Sequence, residues 1–61
     1  MSEITNEMWE NAMQKLDEIM KCEKQKGEQA NAELYWTAHS LMATIAGGTR
    51  TEAMYNAIIA L

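Results

Sequence analysis

A chain of 61 residues makes one domain at most, and it can bury only about 60% of the surface that its unfolded form exposes, so its stability is marginal without a staple. Its 48% hydrophobic content excludes a disordered chain, the lack of a long apolar run excludes a membrane span, and no charged-then-apolar start suggests a secretory signal; the expectation is a cytoplasmic protein. The net charge of -4, nine carboxylates against five basic residues, disfavours nucleic acid as a partner, yet it is not concentrated enough to mimic one.

The single cysteine, Cys22, cannot form an internal disulfide, which leaves self-association as the expected staple. No proline, no phenylalanine and six methionines suit helices and adaptable apolar surfaces. The fold expected is all-α, a single helical domain over residues 1 to 61.

The first helix is predicted from about residue 3 to 26, where Met8, Trp9, Ala12, Met13, Leu16, Ile19 and Met20 recur at helical spacing and share one stripe. Glu3, Glu7 and Glu10 lie early and Lys21, Lys24 and Lys26 late, which complements the helix dipole. Ser2 or Thr5 is the expected amino-terminal cap, and Gly27 the closing residue. Continuing the same phase through Gly27 would place Leu34, Ala38, Leu41 and Ile45 on the same face and give one long rod. Against the rod, Glu23 and Gly27 fall on that seam, and residues 23 to 33 are nearly all polar. A hairpin is therefore the reading adopted.

The second helix, about 29 to 46, is apolar on two sides. Leu34, Ala38, Leu41 and Ile45 form one stripe, and Ala32, Trp36, His39, Ala43 and Ala46 form another nearly opposite, so the helix needs covering twice. Gly47-Gly48 closes it. Thr49, with Glu52 three residues on, fits a capping box that opens a third helix over about 50 to 61. That helix carries Ala53, Met54, Ala57, Ile58 and Leu61 on one face and Tyr55 with Ile59 on another.

Acid-base or nucleophilic chemistry needs converging groups, and one His, one Cys, one Arg and scattered carboxylates supply no triad and no metal-ligand cluster. Cys22 and His39 would have to meet across the hairpin to act together. No enzyme activity, cofactor or metal is expected. The turn Gly48, Thr49, Arg50 and Thr51 is a candidate anion site, with amides, hydroxyls and a guanidinium that suit a phosphate or carboxylate, although the same letters serve helix ends. Read as a helix-turn-helix, this segment offers only Arg50 to phosphate, so a DNA-binding regulator ranks third.

Tyr35, Trp36, His39 and Ala43, with Tyr55 and Ile59, are the expected oligomer or partner interface, and Met8, Met13, Met20, Met42 and Met54 could line a groove or fill the core. Glu7, Glu10, Asp17 and Glu18 form an acidic surface that would steer toward a basic protein. In size, acidity and lack of catalytic machinery the chain is similar to small regulators and inhibitors made by phages and plasmids, a likeness of scale that no motif carries. The expected architecture is a helical hairpin plus a short third helix, oligomerising as a small bundle. The expected function is non-enzymatic: stoichiometric binding that inhibits or regulates a protein partner. The alternative is an oligomer that sequesters a small anionic ligand, such as a nucleotide, at the Gly-Gly-Thr-Arg-Thr turn.

Overall fold

The computed structural model describes residues 3–61, which form helices α1 (Asn6–Lys26), α2 (Ala32–Ala46) and α3 (Glu52–Ala60), with a 3-10 turn over Gly27–Gln29. No strand occurs among the described residues.

Helix α1 begins where the Thr5 hydroxyl accepts the Met8 amide at 3.1 Å, three residues later than the periodicity suggested, and Glu3 lies ahead of it. Ser2, the other expected cap, lies outside the described residues. Trp9, Ala12 and Leu16 are buried, with Met13, Ile19 and Met20 packed beside them, so the apolar stripe is the covered face.

Gly27 closes α1 at φ +61 and ψ -120, a backbone that side-chain-bearing residues rarely adopt, and its amide donates to the Lys24 carbonyl. Nothing lies within 4 Å of where a Cβ would stand, so conformation rather than space requires glycine here. The chain then turns back. Glu23, which the sequence presents as a flaw in the seam, is buried, and its two oxygens are both used. Oε1 accepts the Asn31 amide at 2.8 Å, and Oε2 accepts the Lys26 ammonium at 2.8 Å.

Helix α2 starts at Ala32, later than expected, because the 3-10 turn consumes Gly27–Gln29 and the Asn31 side chain accepts the Leu34 amide at 3.1 Å. Its Ala38 and Ile45 have no exposed surface and join Trp9, Ala12 and Leu16 in one cluster. The Glu23 to Asn31 bond and an equal rise per residue place Leu16 level with Ala38 and Trp9 level with Ile45.

The passage from α2 to α3 corrects the expected cap. The Gly48 amide donates to the Ile45 carbonyl at 3.0 Å and the Thr49 amide to the Thr44 carbonyl at 3.2 Å, with Gly48 at φ +101; this is a Schellman ending. Thr49 therefore completes α2. Thr51 opens α3, its hydroxyl accepting the Met54 amide at 3.2 Å, and Glu52 is the first helical residue rather than the partner in a capping box.

Helix α3 runs beside α1 in the same sense, since Tyr55 meets Trp9 edge to face (ring centroids 5.6 Å apart, 78° between planes) and the Lys15 ammonium donates to the Ile59 carbonyl at 3.0 Å. Its covered side is rotated from the expected one. Ile58 is fully buried with Met54 and Tyr55 packed around it, whereas Ala53, Ala57 and Leu61 are exposed. Trp9 accounts for the rotation, because it offers Tyr55 an aromatic partner inside the chain.

The Lys26 ammonium and the Asn31 amide hold the Glu23 carboxyl below the usual glutamate range, and Glu23 in turn raises Lys26. A depressed carboxyl pKa stabilises the fold at neutral pH, and that contribution is lost as pH falls from about 4.3 through the folded-state value. The raised Lys26 contribution is present below about 10.4 and is lost as pH rises through its folded-state value. Glu23→Gln should therefore flatten the acid limb of a melting-temperature profile. Glu23→Ala, which leaves the Asn31 amide without an acceptor, should lower the melting temperature by several degrees at pH 7.

Candidate functional site

The residues singled out for binding fall in three places. On the outer side of α2, Tyr35, Trp36 and His39 form one cluster: Trp36 meets Tyr35 edge to face at 5.3 Å and His39 at 5.4 Å, and the Tyr35 and His39 rings lie 6.4 Å apart and nearly parallel. Helical spacing brings them together. Trp36 is 60% exposed, His39 and Ala43 are exposed, and Tyr35 is half-buried. Tyr55 stands apart from this cluster, drawn inward onto Trp9, while Ile59 remains 53% exposed. Between α2 and α3 runs an open groove of about 490 Å³, lined by Glu33, Trp36, Thr37, Ser40, Leu41 and Ala57.

The acidic residues lie on α1. Glu7, Glu10 and Glu18 are exposed, and Asp17 is tied to Lys21 at 2.9 Å, the Lys21 pKa being raised chiefly by that hydrogen bond. Among the described residues, Glu7, Glu10 and Glu18 of this surface make no close ion pair, although Glu18 also raises Lys21 through its charge.

The third place is the turn from Gly48 to Thr51. Two of its amides, those of Gly48 and Thr49, are already donated to α2 carbonyls, and the Thr51 hydroxyl accepts the Met54 amide. Arg50 is exposed and makes no ion pair among the described residues. The helix-ending roles therefore withdraw the Gly48 and Thr49 amides from any anion, while the Arg50 guanidinium stays exposed.

Cys22 is exposed near the end of α1, and His39 sits on the outer side of α2 among aromatic rings. No group of three metal-ligating side chains occurs among the described residues. Met13, Met20, Met42 and Met54 are partly buried and pack against the core. No described helix is long and apolar enough to cross a membrane. Sequence reasoning missed Glu23; the signal available was a lone carboxylate on an apolar seam just before a polar turn. Comparison with protein-family models, curated proteins and solved structures finds no match.

The two readings of the turn separate by mutation. Thr51→Ala should cost about 1 kcal/mol through loss of the cap. Thr49→Ala and Arg50→Ala should each stay within ~0.5 kcal/mol, since the Thr49 amide survives substitution and Arg50 is solvated. Urea unfolding of the three variants measures this, and a larger loss from Thr49→Ala than from Thr51→Ala would restore the capping box.

Proposed function

We propose that the chain is a non-enzymatic protein-interaction module that self-associates as a small helical bundle and binds a protein partner stoichiometrically, inhibiting or regulating it. The observation that carries this reading is the exposed aromatic cluster of Tyr35, Trp36 and His39 on the outer side of α2. A Trp left 60% exposed among other rings is a large apolar area kept in contact with water, and Trp and Tyr are the side chains that anchor protein interfaces. The core of this chain, Trp9, Ala12, Leu16, Ala38, Ile45 and Ile58, is small enough that further burial between subunits would add substantially to its stability.

The partner's complementary surface is basic in this reading, because Glu7, Glu10 and Glu18 are exposed and form no ion pair within contact distance among the described residues. The place of action is the cytoplasm, supported by a free, exposed Cys22 thiol that a reducing compartment preserves.

Light scattering at micromolar concentration should give at least twice 6.9 kDa. Trp36→Glu should split the assembly, whereas Gln14→Glu, at an exposed position of α1 away from this side of α2, should leave it intact. Reversing Glu7, Glu10 and Glu18 to lysine should abolish binding to the partner while the assembly persists. A monomer mass for the unaltered protein would overturn self-association.

A further inference from the structure

The outer side of α2 has a register as well as an exposure. Ala32, Trp36, His39, Ala43 and Ala46 are spaced by four, three, four and three residues, the spacing of a coiled-coil seam, and all five are exposed. The seam holds no charged residue, and Glu33 is the one ionised group adjoining it. Size is distributed unevenly along it. The bulky side chains, Trp36 and His39 with Tyr35 beside them, lie toward the amino-terminal half, and the small ones, Ala43 and Ala46, lie toward the carboxy-terminal half, followed by Gly47.

Deepening the self-association proposed above, and resting on it, we infer that two copies pair through α2, antiparallel about a two-fold axis near the middle of the helix. Trp36 and His39 of each copy then pack on the Ala43 and Ala46 end of the other. A two-fold contact must be self-complementary, and this seam is so only when reversed. A parallel pair would set Trp36 against Trp36 and leave Ala43 and Ala46 facing across a gap, which forfeits packing. It would also bring the two Glu33 carboxylates together, whereas the antiparallel pair holds them about 18 Å or more apart along the axis, at 1.5 Å per residue. Reversal further sets the two helix dipoles in opposition, an arrangement that favours the pair.

Area supports a second copy as the occupant. A folded monomer of 6.9 kDa is expected to expose about 4,000 Å². This chain exposes 4452 Å², about 450 Å² more, which is open surface for a second copy to cover but less than the roughly 600 Å² that each partner contributes to a standard interface, so the pair is a modest one.

The test uses the full chain with Cys22→Ser and a single spin label on Ser40→Cys or Glu33→Cys, both exposed positions beside the seam. The antiparallel pair predicts a short distance between copies from position 40 and one about 10 Å longer from position 33. Equal distances at the two positions overturn it while leaving self-association standing, and a monomer mass removes both. Ala43→Trp sets a bulky side chain against Trp36 or His39 of the second copy, and should weaken association at least tenfold with the helical circular-dichroism signal unchanged. Unaltered association in that variant would count against the pairing.

Discussion

The carboxylate of Glu23 is the interaction on which the rest of this fold depends. It is buried at the point where α1 ends, and it spends one oxygen on the Asn31 amide and the other on Lys26. A buried carboxylate without such partners would be costly, and the partly covered amide of Asn31 at the start of α2 would lose its acceptor. Each group removes the penalty of the other. With Asn31 fixed against Glu23, α2 must return along α1, and the phase of its residues follows. Ala38 and Ile45 meet Trp9, Ala12 and Leu16, and Trp36 and His39 are left facing outward.

That division of α2 links stability to function. One chain has enough apolar surface to cover one side of α2, because α3 is only nine residues long and spends its covered side on Trp9 and the end of the hairpin. The second side is therefore left exposed in the single chain, and its lack of charge in a chain of net charge -4 sets it apart from the acidic exposed side of α1. In the proposed reading these two surfaces do separate work, the uncharged one joining copies and the acidic one approaching a basic partner.

The helical faces of α1 and α2 were legible in the sequence, because a period of 3.6 over fifteen or more residues leaves little ambiguity about which side chains share a side. Helix ends were less legible. Thr49 and Thr51 can each cap a helix, and the choice between them was made by the Schellman ending of α2, which employs the Thr49 amide and so delays α3 by two residues. The facing of α3 was misjudged for a related reason: in a helix of nine residues, one strong contact, Tyr55 on Trp9, outweighs the average apolar direction. Glu23 was only partly legible: its place on the seam and its Lys26 partner are in the sequence, but the backbone amide of Asn31 that fixes the return of the chain has no letter there. Of the candidate binding residues, Tyr35, Trp36 and His39 were recoverable as a cluster from helical spacing alone, while Tyr55 was separated from them by a tertiary contact.

The return of the chain at Gly27 is the claim on which both the core and the exposed aromatic cluster rest. It is tested most directly by the distance between spin labels on Glu10→Cys and Thr44→Cys within one chain carrying Cys22→Ser, diluted with unlabelled protein so that distances between copies do not contribute. These positions lie level with one another across a structure only 17 Å by 15 Å in its two shorter dimensions, and the expected distance is well under 30 Å once label arms of several ångström are included. A dominant distance near 50 Å, the span of 34 residues in one continuous helix at about 1.5 Å each, would contradict the account.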